Sequence, residues 1–149
     1  MAKYQRALNV VSKAILEGDF ETYLAQIDLP YLVHTETARH LMSSADDLRA
    51  TFETLSRGLA ARGVTHYERI ARTADYVASN RIEGLHYTHL IANGSHVAYP
   101  HSSRHAIVRR GTRWLFSEAH YQITITTWPL DDSQMFSRFD SSSSLGAEA

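Results

Sequence analysis

The chain of 149 residues contains no cysteine. Disulfides, thiolate nucleophiles and Cys-based zinc sites are therefore excluded, and any chemistry must come from His, Tyr, Ser, Thr, Asp, Glu or a bound cofactor. Charge of one sign is also scarce: 15 Lys and Arg stand against 16 Asp and Glu, and the arginines are scattered. The basic stripe that a phosphate backbone requires is missing, so no nucleic-acid partner is expected. No run approaches the ~20 apolar residues of a membrane span, so no membrane partner is expected either. Met1–Arg6 leads into an amphipathic pattern rather than a signal-peptide core, which gives the expectation of a cytoplasmic protein. Glycine-rich phosphate loops and the HExxH pattern are both absent, and the expectation is no nucleotide cofactor and no metal. His86 and His89 agree with this, since an odd separation on a strand sends them to opposite faces.

What is present fits one folded domain. Apolar residues make up 44% and charged residues 21%, close to globular averages, and a single core suits this length. Histidine is the compositional exception, with nine in the chain and five between His86 and His105. Imidazole is the side chain whose ordinary titration falls near neutral pH.

Tyr4, Ala7, Leu8, Val11 and Ile15 recur at helical spacing up to Gly18, a residue suited to close a helix in the left-handed region. Asp19 can cap a second, short helix with Phe20, Tyr23, Leu24 and Ile27 on one face, stopped by Pro30. Residues 31–43 hold no sustained period and read as a short strand or an irregular crossing segment. Ser44 with Asp47 forms a capping box that opens a third helix carrying Leu48, Phe52, Leu55 and Leu59, ending near Gly63. Asp46 and Asp47 are explained by that helix start alone.

Beyond it, Thr65–Thr73, Tyr76–Ile91, His96–Arg110 and Thr112–Thr127 read as long strands. Turns are expected at Ser79–Asn80, Asn93–Gly94 and Arg110–Gly111. Helices followed by a meander imply an α+β class, with three N-terminal helices packed on one strongly curved antiparallel sheet. The domain is taken as residues 1–139, and the Ser-rich residues 140–149 as a tail.

The order of these pieces, over residues 3–127, resembles the nuclear transport factor 2-like superfamily. That group includes ketosteroid isomerases, SnoaL-like polyketide cyclases and scytalone dehydratase. Three stretches carry the resemblance: Glu17-Gly18-Asp19-Phe20, the helix start at Ser44–Asp47, and Gly111-Thr112-Arg113-Trp114 followed by Ser117-Glu118-Ala119-His120-Tyr121. It implies a cone-shaped cystatin-like fold in which the helices and the concave sheet face enclose a pocket.

Register with isomerase-like members, combined with strand parity, places His86, Thr88, Leu90, His101, Ser103, His105, Ile107, Leu115, Ser117, Ala119, Tyr121 and Ile123 inward. The outer face then carries Trp114, Phe116, Glu118 and His120, and a homodimer through that face is expected. The resemblance sets the general-base position near His34 or Thr35 and a polar strand position near His105. The helix-one donor position falls on Val10, which cannot donate. His34, His105 and Tyr121 are the candidate catalytic residues. His66, His86, Thr88, His101, Ser103 and Ala119 are the candidate ligand contacts, His66 and His86 by similarity to the dehydratase branch.

A neutral imidazole taking a proton while a second His or the Tyr121 hydroxyl donates would serve isomerisation, cyclisation or dehydration of a mostly apolar carbonyl or hydroxyl compound. The alternatives are a non-catalytic ligand-binding or dimerisation module, and a protein-interaction adaptor acting through Trp114 and Phe116.

Overall fold

The structure, a computed structural model, describes residues 1–97 and 100–121. The expected end of the last strand, including Ile123, and the expected tail at 140–149 lie outside these residues. Three helices precede the long strands: α1 (Ala2–Glu17), α2 (Phe20–Ala25) and α3 (Ala45–Ala61). The sheet contains β1 (Ile27–His34), β2 (Arg39–Met42), β3 (His66–Ala78), β4 (Arg81–Ala92), β5 (Ser95–His96), β6 (His101–Arg110) and β7 (Arg113–His120). Its order is β2-β1-β7-β6-β4-β3, with β5 paired to β4.

The helix boundaries follow the local chemistry read from the sequence. Gly18 closes α1 at φ 70°. The Asp19 carboxylate accepts from the Thr22 amide at 3.2 Å and the Thr22 hydroxyl at 2.6 Å. At the start of α3, Ser44 and Asp47 exchange side-chain to backbone hydrogen bonds, a complete capping box. The buried stripe of α1, which includes Tyr4, Leu8, Val11 and Ile15, packs on the sheet. Phe52 of α3 meets Phe20 and Tyr23 of α2 with ring centroids 5.3 and 5.0 Å away. Each fully buried side chain of this kind stabilises the fold by roughly 1.5–3 kcal/mol.

Three features depart from the sequence expectation. Pro30 does not end a helix; it lies inside β1, after a cis Leu29–Pro30 peptide bond. The ladder between β1 and β7 is irregular between Ile27 and Leu32, so a residue without an N–H is tolerated there. Within residues 31–43, read as a short strand or an irregular crossing segment, Tyr31–His34 pair with Arg39–Met42, and the departure is that β1 runs parallel to β7. This parallel pair extends the antiparallel β3-β4-β6-β7 meander. Finally, β3 is continuous where a break near Thr73–Tyr76 was expected, with register shifts at Ala71/Thr73 and Tyr76/Ala78. Such bulges bend and twist a strand without ending it.

Candidate functional site: a buried tyrosine, histidine and arginine cluster

Strands β4 and β6 set His86 and His105 side by side beneath α1. Gly84 pairs with His105 and His86 with Ser103, so even residues of β4 and odd residues of β6 share one face. The two imidazoles stack with centroids 4.9 Å apart and planes 12° from parallel. Tyr4 of α1 reaches this point because residue 84 has no side chain: a Cβ there would fall 2.4 Å from Tyr4 Cε1.

The Tyr4 hydroxyl is 2.7 Å from His86 Nδ1, and the His105 backbone lies close enough to affect its acidity. On the far side, His105 Nε2 lies 3.2 Å from the Tyr121 hydroxyl, and Tyr121 interacts in turn with the Tyr31 side chain. A run of polar aromatic groups therefore crosses the interior from α1 to β1.

Arg69 joins it from β3, only 5% exposed. Its Nε donates to Ser12 Oγ at 2.7 Å, and its guanidinium lies 5.0 Å from the centre of the Tyr67 ring. Arg69 Nη2 and His105 Nδ1 are both buried without a hydrogen-bond partner among the described residues. Those residues include no buried Asp or Glu. A guanidinium stays charged in proteins, and burying a charge without a partner is costly.

Burial, followed by the Arg69 and His101 charges, lowers His86 to a pKa of about 3. Burial, then His86 and Arg69, holds His105 well below its ordinary value. Burial raises Tyr121 to about 12, and it raises Tyr4, Tyr23 and Tyr31 as well. At neutral pH the cluster is thus one permanent cation among neutral imidazoles and protonated phenols.

No protein-family model and no curated protein sequence matches the chain. Solved structures do. A protein of unknown function with a cystatin-like fold from Nostoc punctiforme aligns with TM-score 0.62 at 9% identity, over 81% of this chain and 88% of that one. An NTF2-like protein with a cystatin-like fold from Novosphingobium aromaticivorans gives 0.60 at 11%, over 90% and 85%. A candidate dehydratase of the NTF2-like family from Streptomyces avermitilis gives 0.57 at 11%, over 80% and 92%. The chain has the NTF2-like, cystatin-like fold. At these identities the likeness extends to the scaffold, and an NTF2-like scaffold hosts chemistry only through its particular side chains.

Measured against that scaffold, the expected site divides. His86, His105 and Tyr121 meet in the interior, and Thr88, Ser103 and Ala119 are buried on the same face. His101 pairs with Thr88 on that face and is half-buried.

His34 does not join them. Val33 pairs with Ala119, which pairs with His105, whereas His34 pairs with His120; alternation therefore sends His34 to the outer face, where its Nε2 lies 2.5 Å from Glu118 Oε1. His66 is exposed, bonded to its neighbour Thr65, and of opposite parity to Tyr67 and Arg69. The expected interface set also splits. Ile107 pairs with Phe116 and Ala106 with Glu118, leaving Ser117 as an extra residue. That bulge turns Phe116 inward to 2% exposure, and Trp114 packs edge-on against Tyr76 at 5.9 Å.

Glu118 and His120 do face outward. Partial burial pushes the Glu118 carboxyl up, but hydrogen bonds from Arg81 and His34 outweigh this and lower its pKa. Elsewhere, a cleft of about 410 Å³ opens between β2 and the start of α3, lined in part by Arg39, His40, Asp46 and Asp47. Its Asp47 is already committed to capping.

Sequence reasoning missed Tyr4, Ser12, Tyr31 and Arg69. Tyr4 was visible only as one member of an apolar stripe. Arg69 left a stronger signal, since it shares parity with Tyr67 and Ala71, and a lone arginine on the inward positions of a strand is unusual.

Proposed function

We propose that the interior of the cone binds a small, mostly apolar organic compound bearing a carbonyl or carboxylate oxygen. On that compound the cluster performs acid–base chemistry of the isomerase, cyclase or dehydratase type. The observation that supports this reading is a pair of buried nitrogens, Arg69 Nη2 and His105 Nδ1, that have no hydrogen-bond partner among the described residues. A ligand oxygen with negative or developing negative charge would satisfy the first, while the second offers a lone pair or a proton according to tautomer.

Arg69 would act as the electrophilic partner and His105 as the proton carrier. Tyr4 and His86 would fix the stacked imidazole pair, and Tyr121 would orient His105 through Nε2. The Arg69 charge helps depress His105. A bound anion would offset the Arg69 contribution to that shift, while burial, its largest cause, and His86 continue to act.

A second reading, ligand binding without turnover, draws support from the same values. An imidazole held near pKa 3 is a weak base and a phenol near 12 a weak acid at neutral pH.

Incubation with a panel of apolar ketones, enones and hydroxy acids, followed by proton-exchange and product analysis, separates the two. Turnover that His105→Ala reduces by 10²-fold or more supports catalysis, in line with general acid–base contributions. Saturable binding without exchange or product across the panel favours the binding module.

A further inference from the structure

We propose that His34, Glu118 and His120 form a binding site for a divalent transition-metal ion of the zinc class on the outer face of the sheet. The parallel pairing of β1 with β7 builds it. Leu32 stands opposite Glu118 and His34 opposite His120, so the three side chains emerge on one face from two adjacent strands. The arrangement has no local sequence motif because one donor comes from a residue more than 80 positions away from the other two.

Their donor atoms, two imidazole nitrogens and one carboxylate oxygen, all lie within 4.8 Å of one another. Glu118 Oε1 is 2.5 Å from His34 Nε2 and 3.5 Å from His120 Nε2. Four-coordinate zinc with bonds of about 2.0–2.2 Å sets neighbouring donors about 3.3 Å apart. The two separations from Glu118 Oε1 bracket that value. The two rings already stack in parallel, with centroids 4.1 Å apart and planes 6° from parallel, bringing both Nε2 atoms toward the same oxygen.

The surroundings suit a cation. Arg81 donates to Glu118 Oε2 at 2.7 Å, which leaves Oε1 for the metal and fixes the carboxylate as a one-oxygen ligand, a common use of an outer partner. Arg81 is itself paired with Glu83 at 3.2 Å, so one guanidinium sits among two carboxylates. Arg104, opposite His120 in register, is exposed to solvent. Two imidazoles select zinc, nickel, cobalt or copper over magnesium or calcium. His120, with a half-exposed side chain, leaves a position open to water or a further ligand.

Metal uptake requires His34 to carry its proton on Nδ1, so the hydrogen bond to Glu118 is exchanged for two bonds to the ion. An internal comparison is available in His89 and His96, whose ring nitrogens lie 3.2 Å apart near β5. That pair has no third donor among the described residues.

The test is calorimetric titration of untagged, chelator-stripped protein with Zn²⁺ in a non-coordinating buffer. The expected result is one saturable site per chain, weakened at least about tenfold in His120→Ala and in Glu118→Gln, and unchanged in His96→Ala. Circular dichroism checks that each variant is folded. If Glu118→Gln fails because Arg81 loses its partner, the half-exposed His120 position still decides the matter. Cobalt substitution adds a visible spectrum that should vanish in His120→Ala. Wild type that binds no more tightly than His120→Ala, or binding abolished by His96→Ala instead, overturns the site.

Discussion

Arg69 and His105 reach the same buried interior from strands at different places in the sheet, and each keeps one nitrogen there without a partner among the described residues. They are also coupled electrostatically: burial, then His86 and the guanidinium charge, hold His105 neutral. A fold optimised only for stability would fill this position with hydrocarbon. The proposed ligand oxygen would be met at this point, beside Tyr4, His86 and Tyr121.

The close approach of Tyr4 to Gly84 predicts an inverted mutational sign. Alanine in a strand is ordinarily preferred to glycine. Here the added Cβ would meet the Tyr4 ring at 2.4 Å, so Gly84→Ala should destabilise by about 1–3 kcal/mol and lower Tm by several degrees. Combined with Tyr4→Ala, its effect should be clearly less than additive. An unchanged Tm in the single variant would contradict the packing.

Gln5 clamps α1 to the edge strand. Its Oε1 accepts from the Ala71 amide at 2.8 Å, and its Nε2 donates to the Arg69 carbonyl at 2.7 Å. Gln5→Ala leaves both backbone groups unpaired and should cost about 1–3 kcal/mol. Amide exchange at Ala71 should accelerate, and protection equal to wild type would show that the clamp is dispensable.

Acid sensitivity follows from the interior histidines. His86 has a folded pKa of about 3 against an ordinary 6.5, with burial the main cause and the charges of Arg69 and His101 adding to it. The unfolded chain therefore binds a proton that the folded chain refuses, and stability rises with pH across this window. The contribution is complete above about pH 6.5 and is lost progressively as pH falls toward 3. One such group gives a slope of up to about 1.4 kcal/mol per pH unit, and His105 adds to it in the same direction. Urea midpoints at pH 7.5, 6 and 5 should fall in that order, with a shallower trend in His86→Gln. A flat profile in wild type would show that the imidazoles are hydrated.

Much of the fold was legible because local rules and tertiary packing agree. The α1 stripe, the Asp19 and Ser44 caps and the Asn93–Gly94 turn, with φ 52° and 77°, all follow from short-range chemistry. Parity correctly set His86, His105 and Tyr121 inward. It failed at Phe116 because one extra residue, Ser117, reverses the alternation, and no residue type marks a bulge in advance. His34 went astray for a related reason. Its place depends on the parallel pairing of β1 with β7, a contact between residues far apart in the chain. Arg69 was passed over because an isolated strand sequence does not reveal which alternate set is buried.

Arg69→Met removes the buried cation on which the proposed site depends. Replacing a buried cation that has no carboxylate partner among the described residues with an apolar side chain of similar length should leave stability unchanged or raise it, and His86 should titrate at higher pH once the guanidinium is gone. Affinity for the best apolar carboxylate or ketone in a ligand-observed NMR screen, measured beside the His105 ring ¹⁵N shifts, supplies the decisive reading. Wild type is expected to bind with a perturbed His105 ring, and Arg69→Met to bind at least about tenfold more weakly while remaining folded. Equal affinity in the two proteins, with the His105 ring unperturbed, would contradict the proposed site.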